Sequence, residues 1–189
     1  MTLIAGVDEA GRGALAGPVV AAAVILTPDC DHQLFKDSKQ LSPKKRACLY
    51  AYLLNSKAYI SIGVKSHKTI DRLNILSASL LAMKEAILCL PIKPDKVLID
   101  GNKTPPLHNY QLTAIVKGDQ LHSQISAASI IAKVTRDTIM QNCHSKFTHY
   151  QFDINKGYGT AKHYTQLFTH GPSSIHRKTF NLNKQQTLF

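Results

Sequence analysis

Apolar residues fall along this chain first in short blocks and later in helical spacing. Residues 2–7 (TLIAGV) and 18–26 (PVVAAAVIL) are nearly continuous apolar runs of strand length, and residues 58–64 (AYISIGV) alternate as a third strand would. Glycines and Pro18 punctuate the first two runs, so short connections and an antiparallel meander are predicted. Residues 43–55 read as a helix, with Ser42 as N-cap and Pro43 at the first helical position. From 67 to 90, Leu73, Leu76, Leu80, Met83, Ile87 and Leu90 step by three or four, predicting one long amphipathic helix ended by Pro91 and Pro94. Two more apolar runs, 96–99 (KVLI) and 112–116 (LTAIV), precede a helix over 123–142. That helix carries the small residues Ser126, Ala127, Ser129 and Ala132 on a face suited to close packing on a sheet. Strand and helix then alternate, which predicts parallel pairing in this half. The fold class expected is α/β: a mixed five-stranded sheet flanked by helices over residues 1–142. Residues 143–189 read as a small basic helical lobe packed on it, with a helix near 160–170 stopped by Gly171-Pro172.

Composition narrows the possible roles. At 189 residues the chain suits one domain with a small appendage. Its net charge of +11 favours a polyanionic partner. The charge is uneven: from 143 onward a single acid, Asp153, stands against six Lys or Arg and five His. The longest apolar run, Val19 to Leu26, is far short of the ~20 residues a bilayer span needs, so no membrane association is expected. No basic segment precedes the first apolar stretch, which argues against a signal peptide and for the cytoplasm. Cysteines 30, 48, 89 and 143 form no Cys-x-x-Cys pair and are expected reduced and mostly buried. The nine histidines show no metal-ligand spacing and are expected mostly exposed.

Acids are scarce, so their placement is informative. Asp8 and Glu9 end the first predicted strand, Asp100 ends the run Leu98-Ile99-Asp100, and Asp119 lies just past the last strand. Carboxylates at strand ends can converge on one point. Converged carboxylates repel each other and require cations between them, and an all-oxygen donor set suits Mg²⁺ or Mn²⁺. Two such ions can activate water and stabilise a leaving oxygen. Asp at a strand end is also a common helix cap or turn former. Neighbours on a regular strand point to opposite faces, so Asp8 and Glu9 share a site only if the strand ends or bends there. Spacing alone leaves both readings open.

The motifs go further. Gly6-Val7-Asp8-Glu9-Ala10-Gly11-Arg12-Gly13 followed by Leu15-Ala16-Gly17-Pro18 resembles the opening motif of bacterial ribonuclease HII. Asp37-Ser38-Lys39-Gln40-Leu41-Ser42, Val97-Leu98-Ile99-Asp100-Gly101-Asn102, Lys117-Gly118-Asp119 with Ser126 to Asp137, and Lys156-Gly157-Tyr158-Gly159-Thr160 with His163 are similar to its later blocks, in family order. The resemblance spans residues 3 to about 180. It departs at Gly159, where many members carry Pro.

The resemblance implies an RNase H-like fold. It also implies metal-dependent cleavage of the RNA strand of RNA/DNA hybrids, and incision 5′ to single ribonucleotides in duplex DNA with 3′-hydroxyl and 5′-phosphate ends. Such incision serves ribonucleotide excision repair. By motif, Asp8, Glu9, Asp100 and Asp119 would be the catalytic and metal-binding acids, holding Mn²⁺ or Mg²⁺, with two ions during catalysis. Gly11, Arg12 and Gly13 would read the ribose 2′-hydroxyl, and Tyr158 would pack on the deoxyribose that follows.

Other residues are weighed by charge and position. Lys39 is a candidate phosphate contact, and Lys156, His163, Arg177 and Lys178 are candidates to track a duplex backbone. The terminal Gln185-Gln186-Thr187-Leu188-Phe189 resembles the short peptide that docks bacterial proteins on the DNA sliding clamp, through Gln185, Leu188 and Phe189. A monomer is expected. A non-catalytic duplex-binding protein and another RNase H-like nuclease, such as a junction resolvase, remain as alternatives.

Overall fold

A computed structural model describes residues 2–35 and 41–183. Lys39 and the tail residues Gln185, Leu188 and Phe189 therefore lie outside the described residues. Strand β1 (Ile4–Ala10) pairs antiparallel with β2 (Val19–Ile25), which pairs antiparallel with β3 (Tyr59–Lys65). On its other side β1 pairs in parallel with β4 (Lys96–Asp100), and β4 with β5 (Leu112–Ile115). The sheet order is β3-β2-β1-β4-β5, so the mixed five-stranded sheet and its meander are as expected.

Two helices press on opposite faces. Helix α3 (Ile75–Leu88) covers the face lined by Ala5, Val7, Ala21, Ala23 and Ile99. Helix α5 (Ser123–His144) covers the face lined by Ala22 and Val24, with α1 (Pro43–Asn55) packing beside it through Leu49 and Leu53. Strand β2 is buried along its whole length because both faces are covered. Its three consecutive alanines let the helices come in close. A Cβ on Gly6 would lie 2.1 Å from the Gln124 carbonyl carbon, so α5 occupies space any larger residue would fill.

The predicted helix over 67–90 is two helices. Helix α2 (His67–Leu73) ends where α3 begins, at Asn74, whose φ of 70° breaks the helical path. The Asn74 side chain caps α3 by accepting the Ser77 N–H at 3.0 Å. Apolar periodicity carried across the break because both helices bury the same side. The first strand also differs from expectation: it runs through Asp8 and Glu9 to Ala10 rather than ending at them.

Past β5, the short helix α4 (Gly118–Leu121) leads into α5. The C-terminal segment adds α6 (Phe152–Asn155) and α7 (Ala161–His170), which ends at Gly171 with φ 69°. Its core of Tyr150, Phe152 and Leu167 closes over Leu15, Ala16 and Met140. Of the four cysteines only Cys30 is buried, while Cys48 and Cys89 are exposed, which corrects the expectation of mostly buried thiols. No helix among the described residues is long and apolar enough to cross a membrane.

Candidate active site

The sheet brings Asp8, Glu9, Asp100 and Asp119 to one end. Val7 pairs with Ile99, so Asp8 within β1 and Asp100 at the end of β4 follow side by side on parallel strands. Asp119 sits in α4, and the preceding residue ties that helix to β4: the Gly118 N–H donates to Asp100 Oδ1 at 2.7 Å. Glu9 continues the strand on the alternate side. However, β1 and β4 stop pairing at Val7–Ile99, so no rung of sheet separates its carboxylate from Asp100.

The electrostatics record this convergence. Asp8 and Asp119 are buried. Burial raises the Asp8 carboxyl well above its ordinary value, and the charges of Glu9, Asp100 and Asp119 push it further. Burial also raises Glu9, opposed by the Arg12 guanidinium, whose Nη1 lies 3.1 Å from Glu9 Oε1. Like charges held together out of water favour a proton or a cation.

Whether a divalent ion fits is answered by the donors. Glu9 Oε2 is buried without a hydrogen-bond partner, and every candidate donor is a carboxylate oxygen. Such a set matches a hard divalent cation such as Mg²⁺ or Mn²⁺. Among the described residues, no three His, Cys, Asp or Glu side chains stand as a ready-made ligand cluster. Individual oxygens instead engage local donors: Asp8 Oδ1 accepts the Glu9 N–H at 2.7 Å, and Asp100 Oδ1 accepts that of Gly118. In donor chemistry the residues fit the ion.

Beside the acids lies the loop Gly11-Arg12-Gly13, and its underside is a feature the sequence reading missed. Arg177, fully buried, donates to the carbonyls of Gly11 at 2.7 Å, Arg12 at 2.8 Å, Gly17 at 3.1 Å and Pro18 at 3.1 Å. Arg136, equally buried, donates to Ala16, Pro18 and Lys156 carbonyls. Burial lowers both guanidinium pKa values, and no ion pair to either is found among the described residues. Arg177 is thus a scaffold for the loop and not a duplex-facing cation. His163 is also fully buried, against the expectation for it and for the histidines at large.

The clamp fixes which way the loop faces. A trans peptide directs its N–H opposite to its C=O. With the Gly11 and Arg12 carbonyls drawn inward, the Arg12 and Gly13 amides face away from the guanidiniums. Gly11 has φ 97°, and a Cβ there would sit 1.9 Å from Arg136 Nε. A Cβ on Gly13 would meet open space. The first glycine is required by the clamp beneath, and the second leaves room above. The signal for Arg136 was present in the sequence: Ala128, Ala132, Arg136 and Met140 step by four along one buried stripe, and a lone Arg there must find acceptors.

Tyr158 is brought to the same place. It forms an antiparallel bridge with Ala14, just after the loop. The Arg136 guanidinium carbon lies 5.0 Å and Lys133 Nζ 5.3 Å from its ring centroid. The structure thus gathers the four acids, the glycine loop and Tyr158.

A five-stranded mixed sheet in the order β3-β2-β1-β4-β5, with carboxylates gathered across adjacent strands, is the architecture of the RNase H-like class. The sequence matches the family model for ribonuclease HII over residues 5–183. It is 52% identical over 181 residues to ribonuclease HII of Pelagibacter ubique, covering 96% of this chain and 97% of that protein. Among solved structures, ribonuclease H2 from Pyrococcus horikoshii OT3 aligns with a TM-score of 0.78 and 28% identity, covering 96% of this chain and 95% of that one. The structure of the PCNA:RNase HII complex from Archaeoglobus fulgidus aligns with a TM-score of 0.81 and 25% identity, covering 98% of each chain. The chain belongs to the ribonuclease HII family. Its activity is that of a ribonuclease H, an endonuclease acting on the RNA of RNA/DNA hybrids.

Proposed function

We propose that the enzyme incises 5′ to a ribonucleotide, both in hybrids and at single ribonucleotides embedded in duplex DNA, leaving 3′-hydroxyl and 5′-phosphate ends. The observation that carries this reading is the outward-facing amide pair of Arg12 and Gly13 beside the four acids. Asp8, Glu9, Asp100 and Asp119 would hold Mn²⁺ or Mg²⁺, which when bound supplies an activated water and counter-charge for the departing oxygen. The chain's own residues do the selecting. The Arg12 and Gly13 amides donate to a ribose 2′-hydroxyl, the group DNA lacks. Tyr158 presents a flat face to the next sugar, and a 2′-hydroxyl there would crowd the ring. Arg12 offsets the Glu9 charge from the open side of the site, being half-exposed.

The finer expectations follow on their own supports. Residues 143–189 act as a lobe on 1–142, carrying Tyr158 to the loop. Lys39 contacts substrate phosphate, on the strength of its motif. The tail Gln185, Leu188 and Phe189 docks on a sliding clamp, a reading favoured by the fold match to an archaeal ribonuclease HII solved with PCNA. A cytoplasmic monomer serving ribonucleotide excision repair is the corresponding cellular setting.

Product mapping tests the central reading. A duplex with one ribonucleotide should be cut once, on its 5′ side, with Mn²⁺ or Mg²⁺ and not with chelator. The upstream product should be extendable by a polymerase. Equal cutting of an all-DNA duplex would favour a general nuclease and end this reading.

A further inference from the structure

Residues 14–17, which follow the glycine loop, are held between two segments of the C-terminal part. On one side Leu15 N–H donates to the Gly157 carbonyl at 2.8 Å and Ala14 bridges Tyr158. On the other, Gly17 N–H donates to the Ile175 carbonyl at 2.9 Å, Arg177 N–H donates to the Leu15 carbonyl at 2.8 Å, and Ala16 bridges His176. One wall carries Tyr158 and the other carries Arg177. The two walls are tied to each other by a pair of imidazoles. His163 Nδ1 lies 2.8 Å from the Tyr158 carbonyl, and His163 Nε2 lies 3.0 Å from His176 Nε2. His176 Nδ1 lies 2.9 Å from the Ser173 amide and 2.8 Å from its hydroxyl.

The chain of contacts allows one arrangement of protons. A backbone amide only donates, so His176 Nδ1 accepts from Ser173 and its proton is on Nε2. His176 Nε2–H donates to His163 Nε2, which leaves the His163 proton on Nδ1, donated to the Tyr158 carbonyl. An added proton on His163 Nε2 would face the His176 N–H, and one on His176 Nδ1 would face the Ser173 amide N–H. Both rings are buried, packed by Tyr150, whose ring centroid is 4.8 Å from that of His176, and by Phe152, 5.6 Å from His163. The ionisable side chains that reach the pair are Tyr150 and His67. Neither is a carboxylate that would stabilise an imidazolium. Burial holds both rings below the ordinary histidine range, and His176 falls to about 4 with His163 and His67 adding to the effect.

We propose that His163 and His176 are positioning residues for ribose recognition: as a neutral pair with one proton each, they lock the Tyr158 wall to the Arg177 wall and so hold the sugar-reading loop in register with Tyr158. The proposal rests on the reading of the loop and Tyr158 as the junction sensor. It assigns the pair no contact with substrate.

The test uses full-length Asp100→Asn protein, in which turnover is suppressed, and compares binding to a duplex with one ribonucleotide and to the all-DNA duplex at neutral pH. His163→Gln keeps an oxygen able to accept from His176 but loses the Tyr158 carbonyl. His163→Asn keeps an amide N–H near the Nδ1 position for Tyr158. The preference for the ribonucleotide duplex should fall about tenfold in His163→Gln, the worth of one hydrogen bond, and stay within about threefold of the parent in His163→Asn. A preference unchanged in His163→Gln, or lost equally in both variants, overturns the proposal, since a purely structural role does not distinguish them. Nitrogen-15 shifts of the unsubstituted protein give a second readout independent of variant folding. They should show neutral His163 with Nδ1–H and neutral His176 with Nε2–H, and a cationic ring or the opposite tautomers overturns it. If the Asp100→Asn parent has no preference at all, the reading of the loop fails first and this inference with it, whatever the tautomers.

Discussion

Arg136 and Arg177 show how a single residue type takes opposite roles in a basic protein. With a net charge of +11, each arginine invites a reading as a phosphate contact. These two are fully buried and spend their donors on backbone carbonyls. Burying a guanidinium without a carboxylate is costly, and the cost is met by acceptors on three separate stretches of chain. The result is a loop held by its carbonyls, with the Arg12 and Gly13 amides turned the other way. Arg177→Met should therefore destabilise the protein by roughly 3 kcal/mol or more, because it leaves the Gly11, Arg12, Gly17 and Pro18 carbonyls without that donor. Urea unfolding measures this, and a loss below about 1 kcal/mol would mean water or neighbours replace the fork. The four acids and the glycine loop were legible from their motifs. The Arg177 half of the clamp was not, because nothing local in Ile175-His176-Arg177 separates an inward arginine from an outward one.

At the scale of elements, periodicity located strands and helices well and failed where one side chain redirects the backbone. Leu73 and Leu76 keep a helical step across Asn74, yet the chain turns there with φ 70° and ψ 166°. That conformation is strained for any residue with a Cβ, and Asn offsets the strain by capping the next helix, which no apolar residue can do. Asn74→Leu should cost roughly 1–2 kcal/mol, since it keeps the backbone strain and loses the cap of Ser77. Asn74→Gly should cost about 1 kcal/mol or less, because it relieves the strain and loses only the cap. Equal stabilities of the two variants by thermal unfolding would show that the conformation carries no penalty. The first strand taught the same lesson in reverse. Asp8 and Glu9 sit in regular β1, and they share a neighbourhood because the partner strand stops and not because their own strand does.

For the whole molecule, acid stability reports on the buried histidines. In the unfolded chain an imidazole takes its proton near pH 6.5, whereas His176 in the fold stays neutral to about pH 4. The unfolded state then binds more protons between those values, so stability is complete above 6.5 and lost as pH falls toward 4, by about 3 kcal/mol in all. The raised carboxyls of Asp8 and Glu9 act with the opposite sign, favouring the fold in acid. Comparing the protein with His176→Gln isolates one group: their stability difference should shrink by about 3 kcal/mol between pH 6.5 and 4, and a constant difference would contradict the assignment. The mixed five-stranded sheet was readable from the sequence, though its strand order was not. How the lobe closes on the loop was not, since it depends on contacts between residues about 160 positions apart. The proposed function rests on the acid end of the sheet, and Asp100→Asn addresses it most directly. Asn keeps the Oδ1 acceptor for the Gly118 amide and removes the charge. Cleavage of a hybrid with Mn²⁺ should fall at least about a thousandfold while duplex affinity stays within about threefold, since the proposed phosphate contacts lie elsewhere. Turnover at the unsubstituted rate would contradict the account.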